Sequence, residues 1–374
     1  MIRCGKRPLL FLHTPTDYWH AAPPLPDELH GHVDVRTFGE TQDLLHACQA
    51  EIDSTARLAH IGAESASNES FGEVNPIGLV NYLHFHRACK NTYELAAMRQ
   101  ASLVGAAGHL AAESAFRAGG TEFEVHMAFL GASQQVETEL PYGNIVAFNE
   151  HAAVLHYQFQ DRVNHGSANS LLIDAGGNYR GYASDITRTY AGSGDAHANF
   201  AELVLQMEKH QSQLIASVRP GLTFADLHVR MHRQLGDLLA DANLVHCSGD
   251  AAFESGLTET FCPHGLGHLL GLQVHDVGGH LADERGGEAP PPANYPTLRF
   301  TRAIEVDQVF TIEPGLYFIP SLLNELRASQ APVNWTLVDS LTGYGGIRIE
   351  DNIRVLADGV ENLTRDSFAD LLDV

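Results

Sequence analysis

Two stretches of this chain share one pattern of residues. Residues 117–126 and 219–228 align without a gap, and both read Arg-x-Gly-x-Thr-x-x-acid-aliphatic-His. In each, the glycine predicts the end of one helix, and the threonine with the acidic residue three positions later predicts a capping box that starts another. Two ordinary helix–loop–helix caps would account for the stretches separately. An internal duplication, with two related halves around a pseudo-twofold axis, would account for both together.

The segments around these stretches predict helices and strands of a mixed fold. Asn91 with Glu94 forms a further capping-box pattern, and the Ala-rich residues as far as Ala118 favour one long helix. A later helix is predicted from Thr223 to about Asn243. Further strands are predicted at Leu171–Tyr190 (a hairpin), Thr311–Tyr317 and Gly346–Val355, and a loop at Gly278–Pro296.

The first part of the chain alternates short apolar runs with turn residues, which favours a small α/β domain. The elements expected there are strands at Leu9–Leu12, Val33–Arg36 and Leu58–Gly62 and a helix at Glu40–Ser54. We therefore expect a small α/β N-terminal domain at residues 1–85 and a larger α/β (α+β) domain at residues 86–374.

Composition restricts the classes of partner. The net charge is −23, with only 23 Lys and Arg among 374 residues, which argues against a nucleic-acid or acidic-membrane partner. The five cysteines contain no C-x-x-C pair, so a disulfide framework and a cysteine zinc site are disfavoured and a cytoplasmic location is favoured. No segment approaches transmembrane length.

Two aspartates occupy the predicted hairpin. Asp174 follows the apolar run Leu171–Ile173, and Asp185 lies on the returning strand. Aspartates near a turn are commonly turn formers. An antiparallel hairpin can also bring both carboxylates together, and the other acidic positions favour that interpretation.

Two glutamates also follow apolar strand patterns. Glu313 comes directly after Val309–Ile312, where a carboxylate is costly unless it is paired or binds a metal. Glu350 shares a predicted strand face with Arg348, because side chains repeat every two residues. An exposed Arg348–Glu350 ion pair is the alternative, but the interleaved isoleucines favour a buried strand.

Histidines complete the set. His264 and His268 lie four positions apart among glycines and apolar residues, and His275 follows. With 22 histidines in the chain, chance is an alternative explanation. The candidate ligands are four carboxylates and one imidazole, whose four negative charges two divalent ions would balance: Asp174, Asp185, His268, Glu313 and Glu350. This oxygen-rich set suits manganese, with cobalt about equal and zinc as a third candidate.

The motifs that carry these residues resemble, in order and spacing, those of the prolidase family, the Xaa-Pro dipeptidases. The resemblance covers the chain from about Asn75 onward. Its motifs are Tyr142–Asn149, Ala153–Tyr157, Leu172–Gly176, Ser184–Thr189, His264–His268, Val274–Asp276, Ile312–Gly315 and Gly346–Asp351. It implies the pita-bread fold, a pseudo-symmetric α/β domain whose curved sheet holds two metal ions, and hydrolysis of Xaa-Pro dipeptides with release of free proline.

The resemblance also implies roles for the ligands. Asp174 would hold one ion, His268 and Glu313 the other, and Asp185 and Glu350 would bridge them. Our hypothesis is that a hydroxide bridging the two ions attacks the scissile carbonyl, with Glu313 as the proton shuttle.

Other residues would surround the substrate. The family's non-ligand active-site histidines correspond to His156, His264 and His275; the latter two would stabilise the oxyanion, and His156 would line the pocket. Arg299, helped by Arg348, would bind the proline carboxylate. Tyr142 is a further candidate for substrate binding.

Two positions bear on the class of substrate. Arg299 would grip the free carboxylate of a dipeptide, although it could also be a surface loop residue. Gly267, between His264 and His268, resembles the dipeptidase pattern, whereas aminopeptidase P-like relatives often have serine there. Alternatives are an Xaa-Pro aminopeptidase acting on longer peptides, a metal-free pita-bread binding protein and a creatine-type amidinohydrolase. The last two are disfavoured because all five ligands are present. An organophosphate hydrolase side activity is also conceivable.

The N-terminal region departs from the family pattern. Family members carry a larger N-terminal domain, and this one is expected to be truncated, with only about the last half present from Pro8 onward. That domain supports a homodimer and lends an aromatic residue to the neighbouring subunit's pocket. Trp19 is the candidate for that role.

Overall fold

The computed structural model describes residues 1–21, 24–26, 29, 31–53, 57–63, 71–163, 166 and 168–373. These residues form two compact units, Met1–Val80 and Asn81–Val374, and one helix runs across the boundary between them. Among the described residues, every helix is too short or too polar to cross a lipid bilayer.

The N-terminal unit has a small α/β arrangement. Strands β1 (Leu9–His13) and β2 (Asp34–Phe38) pair in parallel, and helix α1 (Thr41–Ala50) contacts both. A second parallel pair joins β3 (Ala59–His60) to β4 (Glu73–Val74). The predicted strands are confirmed. The predicted helix is confirmed too, but it ends at Ala50, and the predicted end at Ser54 lies outside the described residues.

The larger unit begins with helices and a three-stranded sheet. Its first elements are α2 (Ile77–Arg87), α3 (Thr92–Arg117), α4 (Glu122–Ser133), β5 (Ile145–Phe148), β6 (Ser170–Asp174), β7 (Asn178–Tyr179), β8 (Tyr182–Ala183) and β9 (Thr187–Ala191). Strands β5, β6 and β9 form an antiparallel sheet in that order, and β7 and β8 form a small hairpin inserted between β6 and β9.

The second half contains a comparable helix pair and sheet, with further helices between them and after the sheet. It contains α5 (Ala198–Ser217), α6 (Phe224–Asp241), α7 (Gly249–Glu254), α8 (Leu257–Phe261), β10 (Val309–Ile312), β11 (Gly315–Tyr317), α9 (Pro320–Ala328), α10 (Trp335–Leu341), β12 (Gly346–Arg348), β13 (Asp351–Val355), β14 (Val360–Asn362) and α11 (Leu363–Leu372). A helix pair again precedes a three-stranded antiparallel sheet, here in the order β10, β13, β14. This repeated order supports the duplication over two unrelated helix caps.

All three predicted capping boxes are confirmed. Asn91 caps α3 with Glu94, Thr121 caps α4 with Glu124, and Thr223 caps α6 with Asp226; in each, the side chain accepts from the backbone of the acidic residue and that residue's carboxylate accepts in return. The sequence pattern that the two repeats share therefore forms the same structure in both, a capping box at the start of a helix.

The strands predicted at Thr311–Tyr317 and Gly346–Val355 are not continuous, and that part of the prediction is wrong. The first is divided into β10 and β11 around Glu313, and the second into β12 and β13 around Glu350. At the second break, Glu350 donates its backbone N–H to the carbonyl of Thr187 in β9. The two halves of the larger unit therefore meet at the second of these breaks.

The largest hydrophobic cluster lies in the second half. Phe224 at the start of α6 stacks on Phe300 at a ring distance of 4.5 Å and meets the edge of Phe310 in β10 at 5.3 Å. These rings are fully buried. The packing fixes β10 against the helix pair, and with it the position of the residue that follows the strand, Glu313.

Candidate metal centre

The two aspartates stand at adjacent strand ends. Asp174 is the last residue of β6 and lies opposite Thr187, the first residue of β9. The backbone N–H of Ala175 donates to the carbonyl of Ile186, which keeps the two strands together beyond the sheet. Asp174 directly precedes Ala175, and Asp185 directly precedes Ile186. The hairpin therefore brings both carboxylates to one end of the sheet, as predicted.

The histidine segment is hydrogen-bonded to β10, the strand that directly precedes Glu313. His268 accepts at its carbonyl from the backbone N–H of Thr311 at 3.0 Å, and the backbone N–H of Glu313 donates to Leu266 at 2.9 Å. This short ladder sets His268 beside β10. The imidazole and the Glu313 carboxylate therefore face the same space.

Four of the five predicted ligands converge tightly. The Nε2 atom of His268 lies 3.3 Å from Oδ2 of Asp185 and 3.7 Å from Oε1 of Glu313. One ligand atom each from Asp185, His268 and Glu350 lies within 4.8 Å of the others. These three side chains are buried, and one cation could contact all of them together.

The fifth predicted ligand is joined to this group by a tyrosine. The hydroxyl of Tyr142 lies 2.8 Å from Oδ1 of Asp174 and 2.6 Å from Oδ1 of Asp185. Burial raises the pKa of Tyr142 well above its ordinary value, and the neighbouring carboxylates add to the shift. Tyr142 was predicted to bind substrate; the structure places its hydroxyl between two candidate ligands.

The carboxylates carry more negative charge than the protein itself neutralises. Burial, followed by the charges of Asp185, Glu313 and Asp174, raises the pKa of Glu350 well above its ordinary value. Burial likewise raises the pKa of Glu313 to about 7 and raises the pKa of Asp174. At Asp185, burial acts in the same direction, but His268, Tyr142 and His275 together outweigh it and lower the pKa. A buried set of oxygen donors with excess negative charge fits divalent cations.

Arg348 is held inside this network. Its Nη2 donates to Oδ2 of Asp174 at 2.7 Å, and its Nη1 donates to the hydroxyl of Tyr317 at 2.8 Å. Arg348 and Glu350 are 4% and 2% exposed. The alternative of an exposed Arg348–Glu350 pair is therefore wrong. The predicted help of Arg348 in binding substrate stays a prediction.

Three histidines line one cavity with the candidate ligands. The cavity has a volume of about 210 Å³ and is bordered by His156, His264 and His275. The Nε2 atom of His264 lies 2.9 Å from the hydroxyl of Tyr317, and the rings of His268 and His275 meet edge to face at 4.4 Å. Burial lowers the pKa of His264 and of His275 to about 4.

Arg299 reaches the same cavity. In the part of the chain that the structure describes, its guanidinium forms no ion pair. It is exposed, whereas its neighbours Leu298 and Phe300 are buried. A guanidinium that lies beside a cavity and has no ion-pair partner among the described residues is suited to an anionic group of a ligand.

Trp19 belongs to the N-terminal unit. Its side chain is 76% exposed, and its ring packs on Tyr18 at 4.9 Å. The role predicted for it concerns a neighbouring subunit and stays a prediction.

Two residues of the site escaped the sequence analysis. Thr187 donates its hydroxyl to Oε2 of Glu350 at 2.6 Å, and Tyr317 contacts both Arg348 and His264. Both follow a candidate ligand at an even spacing within a segment that the sequence predicts as a strand: Thr187 after Asp185, and Tyr317 after Glu313. The two-residue period of a strand could have placed them on the same face as the ligands.

Gly267 is required by close backbone contact. A Cβ atom at this position would lie 2.1 Å from the carbonyl oxygen of Thr311 and 2.8 Å from its Oγ1. No side chain fits unless the backbone moves. The family resemblance associates this glycine with dipeptidases, and the structure gives it a local steric cause.

Comparisons with known proteins agree with this fold. Residues 96–357 match the model of metallopeptidase family M24, and residues 1–85 match that of the Xaa-Pro dipeptidase N-terminal domain. An Xaa-Pro dipeptidase of Pseudoalteromonas atlantica is 46% identical, covering 98% of this chain and 83% of that protein. One from Shewanella loihica is 45% identical, covering 96% of this chain and 82% of that protein.

Solved structures show the same fold. The low-pH form of Escherichia coli aminopeptidase P has a TM-score of 0.70 at 24% identity, covering 98% of this chain and 82% of that one. Proline aminopeptidase P II of Yersinia pestis has a TM-score of 0.66 at 24% identity, covering 91% and 77%. Fold and site thus define a metallopeptidase with the pita-bread architecture. Within that class, the chain belongs to family M24 and, by its relatives, to the Xaa-Pro dipeptidases.

Proposed function

We propose that this protein hydrolyses Xaa-Pro dipeptides and releases free proline. The observation that carries the proposal is one cavity lined both by Arg299, which forms no ion pair among the described residues, and by the candidate ligands His268 and Glu313. An Xaa-Pro bond is a tertiary amide without an N–H. Recognition must therefore use other groups, and the carboxylate of the terminal proline is the strongest available.

We propose that the five candidate ligands hold two divalent ions and that residues 86–374 form the catalytic domain. Asp174 would hold one ion, His268 and Glu313 the other, and Asp185 and Glu350 would contact both. Manganese is the proposed metal, because four carboxylates and one imidazole suit a hard or borderline ion. When bound, the ions would polarise the scissile carbonyl and lower the pKa of a water molecule.

The protein's own residues would orient the substrate and move protons. Arg299 would bind the proline carboxylate through two parallel hydrogen bonds. Glu313 is the proposed proton carrier, since its Oε1 lies 3.7 Å from His268 and its Oε2 lies 3.8 Å from Nδ1 of His264. Its two oxygens therefore extend from the ligand cluster to the histidine side of the cavity, where His264 and His275 would donate to the developing oxyanion.

A cytoplasmic homodimer is the proposed state of the protein. The five cysteines are all free, which suits a reducing compartment. Trp19, with 76% of its side chain exposed, is proposed to reach the pocket of the neighbouring subunit. Light scattering of the wild type and of Trp19→Ala would measure the dimer, and kinetics of the same variant would measure its contribution to the pocket.

The deciding experiment is an assay on Ala-Pro with metal removed and then added back. The proposal expects activity to disappear with a chelator and to return with Mn²⁺, with Co²⁺ and Zn²⁺ tested in parallel. A tripeptide such as Ala-Pro-Ala provides the comparison. Faster hydrolysis of the tripeptide would identify an aminopeptidase instead.

A further inference from the structure

Glu122 is a buried carboxylate that accepts four hydrogen bonds. It is the first residue of α4 and is 1% exposed. Its Oε1 accepts from the backbone N–H of Phe148 at 2.8 Å and from Nδ1 of His151 at 2.7 Å. Its Oε2 accepts from the hydroxyl of Tyr157 at 2.9 Å and from the backbone N–H of Asp161 at 2.7 Å.

All four donors belong to the segment 148–161, which leaves the sheet at the end of β5. The two backbone donors lie at the ends of this segment, and the two side-chain donors lie between them. The rings of His151 and Tyr157 also stack at 4.4 Å with an angle of 18°. His156, which lines the active-site cavity, is the residue directly before Tyr157. One carboxylate thus fixes both ends of the segment and the neighbour of His156.

The helix itself does not require a carboxylate at this position. Thr121 and Glu124 already complete the capping box of α4. In the second repeat, the position equivalent to Glu122 is Phe224, which is fully buried and stacks on Phe300. The same helix start therefore forms with a phenyl ring. Burying a carboxylate is costly without partners, so the four donors account for a carboxylate at position 122. All four donors belong to the loop that carries His156.

We propose that Glu122 is a positioning residue that holds His156 in the active-site cavity. The inference rests on the proposed function, in which His156 lines the substrate pocket. Four hydrogen bonds from one segment to a single buried side chain restrict the backbone around His156 more than apolar packing of the exposed residues in that loop would.

The test uses Glu122→Gln, which keeps the shape of the side chain but replaces one acceptor oxygen with an NH₂ group. Two of the four donors then lose their acceptor. We expect kcat/KM for Ala-Pro to fall at least about tenfold, mainly in kcat, with metal content unchanged. In a His156→Ala background, the same change should have almost no further effect. An equal fall in both backgrounds would show a merely structural role and would overturn the proposal.

Glu124→Gln is the matched control, because it weakens the capping box in the same helical turn without touching the segment. It should lower thermal stability but leave kcat/KM within twofold of the wild type. Tyr157→Phe removes a single donor and serves if Glu122→Gln does not fold. Its loss of activity should also vanish in the His156→Ala background, and persistence of that loss would contradict the proposal.

A second readout does not depend on activity. Arg162 follows the anchored segment and is exposed, so trypsin cleavage after it reports release of the segment. Cleavage should accelerate in Glu122→Gln and Tyr157→Phe but not in Glu124→Gln, and unchanged cleavage would overturn the proposal. If the metal-loaded wild type fails to cleave Ala-Pro, the proposed function fails, whereas the proteolysis still decides whether Glu122 holds the segment.

Discussion

The guanidinium of Arg348 donates to the carboxylate of Asp174 at 2.7 Å. Asp174 ends a strand of the first half of the larger unit, and Arg348 ends a strand of the second half. Both residues are largely buried. The candidate site is therefore assembled across the meeting of the two halves, with two ligands from the first (Asp174 and Asp185) and three from the second (His268, Glu313 and Glu350).

Metal removal should destabilise the larger unit, because the candidate ligands come from both of its halves. Ions that bind only the folded chain stabilise it by about 2.7 kcal/mol when their free concentration is a hundred times Kd. We expect a chelator to lower Tm by several degrees and Mn²⁺ to restore it, as measured by calorimetry. An unchanged Tm, with loss of metal verified by elemental analysis, would contradict the assignment of ligands from both halves.

Asp185→Asn should abolish metal-dependent activity. The Asp185 carboxylate contacts His268 at 3.3 Å and Tyr142 at 2.6 Å, so it lies at the centre of the proposed ligand set. Metal content should drop, and hydrolysis of Ala-Pro should fall to background. Asp226→Asn, which affects only the capping box of α6, should keep both. Retained metal and turnover in Asp185→Asn would show that the ligand set is wrong.

Arg299→Ala should discriminate between substrates. Loss of a charged hydrogen-bonding partner costs about 1.5–3 kcal/mol, which corresponds to a fall in kcat/KM for Ala-Pro of about 10- to 150-fold. Ala-Pro-Ala has its carboxylate one residue farther along, so its kcat/KM should change by less than about threefold. Equal losses on the two peptides, measured side by side, would rule out Arg299 as the carboxylate clamp.

Gly267→Ala should destabilise the protein and impair the site. The added methyl would lie 2.1 Å from the carbonyl oxygen of Thr311, and such overpacking costs about 1–3 kcal/mol or more. Because His268 is the next residue, bound metal should also decrease. Gly131→Ala is the control: nothing lies within 4 Å of its Cβ position in α4, so chemical denaturation should show no loss of stability.

Buried histidines should make the fold sensitive to acid. Burial lowers the pKa of His109 and of His228 to about 3 and that of His210 to about 4. Because these folded-state values lie below the unfolded value of 6.5, the unfolded chain gains protons first. Above pH 6.5 these histidines should not reduce the free energy of unfolding. From pH 6.5 toward pH 4 the free energy of unfolding should decline, by about 1.4 kcal/mol per pH unit for each histidine.

His228→Phe provides the check on this dependence. The phenyl ring can occupy the position of the imidazole, which packs against Tyr295 at 4.3 Å, and it does not titrate. The free energy of unfolding, measured by urea denaturation between pH 7 and pH 5, should then fall less steeply than in the wild type. An identical slope would show that His228 does not contribute.

The sequence was most informative where local rules apply. The capping boxes at Asn91, Thr121 and Thr223 follow from residues three positions apart, and the hairpin that joins Asp174 to Asp185 follows from apolar patterning. The convergence of acidic residues was predictable because isolated carboxylates at buried strand ends are unfavourable.

What the sequence did not reveal depends on contacts between distant segments. The divided strands at Glu313 and Glu350 result from bonds to Leu266 and Thr187, which no local pattern encodes. The same holds for the contacts through which Tyr317 joins His264 to Arg348 and for the steric cause of Gly267. In each case the decisive neighbour comes from another part of the chain.

The two interrupted strands have a consequence for how this site can change. Glu313 and Glu350 stand outside the regular pairing of β10 with β13 and of β11 with β12, so replacing their side chains does not disturb the cross-strand side-chain pairs of those ladders. The carboxylates at these two positions can therefore be changed without changing the strand pairing. Variants such as Glu313→Gln and Glu350→Gln should yield folded, inactive proteins, suitable for trapping an intact dipeptide in the cavity.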